Sequence, residues 1–174
     1  METMGQAGYP ATGGGLWTGS EEDVVFLCTR CAATFGSARQ PTCCPNCGAT
    51  GKTRDFPTFE TSRIANQNDH FRVTLGSDAG IQGKIVLTLG VQELMPEYGA
   101  EILLKLSQYS EFSEDNDPWG ARDFGTMTVG KPGAHHSLYW KIDLYDLEYD
   151  FAAEAPSDTS QTRRALTLLL PSEY

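Results

Sequence analysis

A chain of 174 residues, 40% hydrophobic and 10% aromatic, has room for one packed domain and a small accessory module. Its net charge of −10 argues against general nucleic-acid binding, because phosphate contacts need Lys and Arg. No apolar run approaches the ~18 to 20 residues of a membrane span. The Gly-rich start has no basic-then-apolar leader, so a cytoplasmic protein is expected.

Residues 1–20 contain Gly13-Gly14-Gly15 and little that packs, and they read as a disordered tail. A cysteine module follows over residues 24–51. Val24 to Arg54 holds four bases (Arg30, Arg39, Lys52, Arg54) and no acid, whereas residues 61–174 hold seventeen acids against nine bases. Cys28-Thr-Arg-Cys31 and Cys44-Pro-Asn-Cys47 are two C-x-x-C knuckles separated by twelve residues. Such turns place paired thiolates on one ion, and two of them close a tetrahedral site. Disulfides are not expected without a secretory leader. A redox pair would be a single C-x-x-C opening a helix, not two in a Gly/Pro setting. The pattern therefore predicts a zinc ribbon with Cys28, Cys31, Cys44 and Cys47 as ligands. Cys43 is left as an ordinary packed or exposed thiol.

The stretch Phe26-Leu-Cys-Thr-Arg-Cys31 through Cys44-Pro-Asn-Cys-Gly48 resembles the rubredoxin-like modules attached to rubrerythrins, and zinc ribbons in general. Four sulfurs suit zinc or iron. Ala32 stands where such knuckles usually carry glycine, and no paired Glu-x-x-His of a di-iron partner is present. Zinc leads over iron.

Residues 52–61 read as an extended linker, since Pro57 biases Phe56 away from helix. An acidic domain over 62–174 comes next. A helix capped by Thr61 or Ser62 is predicted, with Ile64, Phe71 and Leu75 on one face. A Gly-rich turn from Gly76 to Gly83 leads into a strand in which Ile85, Leu87, Leu89 and Val91 alternate. Pro96 opens a second helix with Tyr98, Ile102, Leu106 and Tyr109 as its stripe. Three strands follow: one from Phe124 to Lys131, one through Leu138, Trp140, Ile142 and Leu144, and one from Ala165 to Leu170. A bend is expected near Tyr145 and Asp146. The fold class is α+β, an antiparallel sheet of about four strands with two helices, preceded by the ribbon.

The loop from Asp115 superficially matches a calcium loop, but Trp119 and Thr126 occupy ligand positions. A tight turn with Trp119 as apolar anchor is the simpler expectation. Asp117, Asp123, Asp143 and Asp146 could converge on a divalent cation for phosphoryl hydrolysis if their strands pair. The six acids between Asp143 and Asp158 also fit a solvated edge strand. His135-His136 reads as a solvated turn. Gly83-Lys84 lacks the hydroxyl and helix of a phosphate loop, and Asp123-Phe124-Gly125 lacks every kinase companion motif.

Several motifs occur in order: Arg63-Ile-Ala-Asn66 with Asp69 and Phe71-Arg72; Asp115-Asn-Asp-Pro118 with Gly120 and Asp123-Phe-Gly125; Trp140-Lys-Ile-Asp143; and Ser172-Glu-Tyr174. Together they resemble an uncharacterised bacterial domain family common on plasmids and phages, over roughly residues 62–174. The resemblance implies a mobile-element setting and no chemistry. Three functions follow from the residues. The first is a non-enzymatic interaction protein whose partner carries a basic surface, in its sharper form a DNA mimic that inhibits a host defence nuclease. The second is a nucleic-acid-associated regulator using the ribbon, with few bases for the task. The third is a hydrolase using the four aspartates. The non-enzymatic reading leads.

Overall fold

The computed structural model describes residues 23–174; the tail expected over 1–20 lies outside them. In the ribbon, strands β1 (Val24–Leu27) and β2 (Thr34–Ser37) pair antiparallel and set Phe26 opposite Phe35. These rings and Phe56 make a small core that Cys28 and Cys44 complete. Segments below about 40 residues rarely stand on apolar burial alone.

Residues 52–58 are not the extended linker that the sequence suggested. They form a 3-10 turn (Thr53–Asp55) and then bury Phe56 among the ribbon rings. Pro57 does keep Phe56 out of helical backbone, at φ −133 and ψ 61. The aromatic side chain, however, decides where the segment lies.

Helix α1 (Phe59–Val73) starts ahead of the expected cap, because the hydroxyl of Thr58 accepts the Thr61 N–H at 3.0 Å. Strand β3 (Gly83–Leu87) is correspondingly short, and helix α2 (Leu89–Ser107) begins long before Pro96, which lies inside it. The reason is remote in sequence. The Glu173 carboxylate accepts the Thr88 hydroxyl at 2.6 Å and the Gly90 N–H at 3.0 Å, which supplies an N-terminal cap from the far end of the domain. These bonds, the Thr88 hydroxyl foremost, hold Glu173 below its ordinary pKa.

Strands β4 (Phe124–Lys131), β5 (Ala134–Tyr145) and β6 (Arg163–Leu169) complete a four-stranded sheet of order β3-β6-β5-β4. The β4–β5 and β5–β6 pairs are antiparallel, as expected, but β3 and β6 run parallel. The crossover through α2 carries the chain to the far edge, and two antiparallel returns bring β6 back beside β3 in the same direction. His135 and His136 belong to β5, opposite Gly130 and Val129, and not to a turn. β5 is an interior strand, so the acids from Asp143 onward are divided between the sheet and the loop after it. The bend at Tyr145 is present as the end of β5, bridged to Ala152.

Alternate sheet residues such as Val129, Leu138, Trp140 and Leu166 meet Phe71 of α1 and Val91, Ile102 and Leu106 of α2 in one buried core. Trp140 lies so close over Gly125 that a Cβ there would come within 2.6 Å of the indole nitrogen. Two residues of α2 and one just past its end, each four positions apart, also guard the outer edge of β4. Glu101 accepts the Gly130 N–H at 3.2 Å, Lys105 donates to Thr128 O at 2.5 Å, and the Tyr109 hydroxyl accepts the Thr126 N–H at 3.4 Å. An edge whose groups are occupied this way is closed to an added strand. Among the described residues no helix is long and apolar enough to cross a membrane.

Candidate metal centre and the motif loop

The Sγ atoms of Cys28, Cys31, Cys44 and Cys47 lie within 4.8 Å of one another. Cys28 and Cys47 are 3.9 Å apart, and Cys31 and Cys44 are 3.7 Å apart. A tetrahedron built on ~2.3 Å metal–sulfur bonds has edges of about 3.8 Å, which these two distances match, so the donor set suits a metal ion. The Ala33 N–H, then the Asn46 amide at 3.6 Å, stabilise the Cys31 thiolate and draw its pKa down to about 6. At Cys47 the Ala49 N–H pulls the same way, but burial and the neighbouring sulfurs push the thiol up to about 11. Four sulfurs crowded on one point give up their last proton reluctantly unless a cation replaces it. Cys43 is exposed, points its sulfur towards Cys44 O at 3.8 Å, and stands outside the quartet.

Both knuckles turn through a left-handed residue directly after their second cysteine: Gly48 at φ 68 and Ala32 at φ 58. Glycine adopts this backbone freely, whereas an alanine is strained there. Ala32→Gly should therefore stabilise the ribbon by about 0.5–1 kcal/mol. A higher chelator concentration for half-release of metal would show it, and an unchanged or lower one would refute it.

The second feature is the loop between α2 and β4. Asn116 Oδ1 accepts the Ser113 N–H at 2.7 Å and the Gly120 N–H reaches Asp117 O at 3.3 Å. Asp117 is buried, with Oδ1 on the Arg122 N–H at 2.9 Å, and burial raises its pKa. Gly120 (φ 74) and Arg122 (φ 52) both take left-handed backbone. The tight turn is as expected. Its anchor is not, because Trp119 is 68% exposed. The apolar side chain that the sequence placed inward stands in solvent, and a carboxylate holds the loop down.

Beneath the loop lies a buried polar network that the sequence did not reveal. Arg72, 3% exposed, donates to Asp69 at 3.0 Å and to Leu106 O at 2.6 Å, and the Tyr109, Phe112 and Trp140 rings surround its guanidinium. Arg122 pairs with the other oxygen of Asp69. Arg164, fully buried, donates to Asn68 at 3.0 Å and to Gln67 at 2.6 Å, and Asn68 passes the contact on to Ala121 O at 3.0 Å. Burial lowers the Arg164 pKa to about 10. One signal was available: Asn68 and Arg72 share the core-facing side of α1 with Phe71, where apolar residues were due.

Of the four aspartates, three share a neighbourhood. Burial, then the charges of Asp117 and Asp143, raise the pKa of Asp123. Asp143 is paired with Lys141 at 2.8 Å. Asp146 lies in the turn after β5 and accepts the N–H groups of Asp150 and Phe151, at 2.9 and 3.2 Å. Among the described residues, the cysteine quartet is the set whose donor atoms could meet on one metal ion. An open groove of about 790 Å³ beside β4, lined by residues such as Lys105, Thr126, Ser137 and Tyr139, contains none of the four aspartates.

Two of the four ribbon-segment bases bond to the body, Lys52 through a surface pair and Arg54 at a half-buried carbonyl contact. Lys52 binds Glu114 at 2.5 Å, and Arg54 donates to Phe112 O at 3.1 Å. Arg30 and Arg39 stay exposed.

A family model described as a protein of unknown function, DUF3768, matches residues 87–173. No curated protein and no solved structure matches the chain. The matched span takes in α2, the motif loop, the three C-terminal strands and the 3-10 turn (Pro171–Glu173) that carries the Glu173 cap, and it leaves the ribbon and α1 outside. The chain thus belongs to the DUF3768 family, through the half of its length that holds the loop and most of the sheet.

Proposed function

We propose that this is a non-enzymatic interaction protein, stapled by a structural zinc ion on Cys28, Cys31, Cys44 and Cys47, whose partner is a protein with a basic surface. One observation carries the reading. In the motif loop the carboxylate of Asp117 is buried as a structural pillar, while Trp119, two residues on, is held 68% exposed on a rigid turn. A catalytic loop would present the carboxylate; this one presents an indole. Exposed Trp on ordered backbone is the residue type that anchors interfaces. The same loop carries exposed Glu111 and Asp115, so a partner with a basic rim around an apolar pocket complements it.

Zinc, when bound, holds the two knuckles together, and four thiolates leave it no open position for catalysis. Metal analysis should find one colourless zinc per chain; a red, visibly absorbing protein would favour iron. In its sharpest form the acidic surface stands in for DNA phosphates and blocks the basic groove of a host defence nuclease. The ribbon-to-nucleic-acid reading is weakened by the engagement of Lys52 and Arg54 with the body, which leaves two free bases for phosphate. Capture from a bacterial lysate by the wild-type chain is expected to fail in about 0.5 M salt, because rim charges are screened, and to fail with Trp119→Ala. Capture that survives both changes would dispose of the basic partner and of the Trp119 surface alike.

A further inference from the structure

The ribbon and the motif loop are joined through a short clamp. Three successive carbonyls of the connecting segment are held by ribbon donors: Asp55 O by the Thr29 N–H at 3.1 Å, Phe56 O by the Gln40 amide at 3.0 Å, and Pro57 O by the Leu27 N–H at 2.9 Å. Leu27 and Thr29 flank Cys28, so two of these bonds are one residue from a sulfur of the quartet. Phe56 is seated in the small ribbon core. From the other side of this segment, Arg54 donates to Phe112 O and Lys52 binds Glu114. Gly120 lies against the segment too: a Cβ there would sit 3.4 Å from Arg54 O and 3.7 Å from Pro57. The Arg54 charge also reaches the buried Asp117.

We infer that the metal-loaded ribbon is a brace for the Phe112–Arg122 loop, so that metal occupancy controls how Trp119 is presented. The inference rests on the proposed role of Trp119 as the docking residue, but it concerns the order of the loop and needs no partner to be tested. With the ion in place, the Cys28 turn is fixed, Leu27 and Thr29 hold residues 55–57, Arg54 and Lys52 pin the start of the loop at Phe112 and Glu114, and Gly120 packs against the same segment. Without the ion, the ribbon core has too little apolar surface to keep Phe56 seated. The clamp then opens at Phe112–Glu114 and beneath Gly120, and the loop retains Asp117, its own turn bonds and the Ala121 and Arg122 contacts to α1. The body does not depend on the clamp, because its core is built from α1, α2 and the four-stranded sheet.

The test is amide hydrogen exchange on the full chain in three forms: zinc-loaded, stripped with a strong chelator, and zinc-loaded Arg54→Ala. Exchange over residues 112–122 should rise about tenfold in the second and third forms, while amides of β5 and β6 keep their protection. Arg54→Ala should retain its full zinc content, which separates loss of the clamp from loss of the ribbon. Unchanged loop protection in Arg54→Ala, or in the stripped chain, would overturn the brace. Should Trp119→Ala still capture a partner, the docking role falls and the exchange result stands. Should the exchange result fail, the docking role stands on its own.

Discussion

Cys44→Ser is expected to empty the metal site and unfold the ribbon while the helix-and-sheet body remains folded. Cys44 is 1% exposed and its sulfur sits 3.7 Å from that of Cys31, so a hydroxyl there neither replaces the thiolate nor relaxes towards solvent. Structural zinc sites bind with about 10–16 kcal/mol at neutral pH, and in small modules that binding energy is folding energy. Three buried rings, Phe26, Phe35 and Phe56, are the main apolar resource left to the ribbon, which is far below what conformational entropy costs over such a segment. The measurements are zinc per chain and protease cleavage mapped along the sequence. Cuts should appear within residues 24–58 and spare β4 to β6. Cys43→Ser is the control, because that thiol is exposed and outside the quartet; it should leave zinc content unchanged. Equal loss in both variants would mean that the ligand set is wrong.

Arg72→Ala should destabilise the body by about 3–5 kcal/mol, the cost of breaking a buried ion pair by removing one partner. Three effects add. Leu106 O and Ser107 O at the end of α2 lose the cation that satisfies them, at 2.6 and 3.3 Å. Asp69 keeps only Arg122. The space among Tyr109, Phe112 and Trp140 becomes a cavity. Set against a typical total of about 5–15 kcal/mol, this is enough to leave the variant partly unfolded at physiological temperature. Arg72→Met refills the volume without the charge and should recover part of the loss; Arg72→Lys keeps the charge but not the planar fork, and should recover little. Urea denaturation of the three variants gives the ranking. If Arg72→Ala costs below about 1 kcal/mol, the buried network is not what holds the loop.

The difference between what could be read and what could not follows the range of the interactions. Period-two alternation located β5, because inside and outside alternate along a strand whatever its neighbours. The same alternation carried the expected β3 on to Val91, which in fact packs from α2; no residue near Thr88 reports that Glu173 caps the helix there. Trp119 was placed inward on its chemistry, and the buried carboxylate that replaces it as anchor depends on Arg122 and Arg54, one of them 63 positions away in the chain. The convergence of Asp117, Asp123 and Asp143 was legible as a possibility, since it needed only β4 to pair with β5. Their employment in backbone and Lys141 contacts was not.

The sequence by itself determined the cysteine quartet, the α+β class and the acidic balance, because ligand spacing, side-chain periodicity and charge are local or additive properties. The tertiary structure alone decided that β3 and β6 run parallel, that two of the ribbon bases face the body, and that the motif loop buries an aspartate and exposes a tryptophan. Each of these is settled by which distant groups satisfy a charge or a backbone group, and such pairings leave no periodic trace in the chain; burial raises the stakes at Asp117, where an unsatisfied carboxylate would be costly.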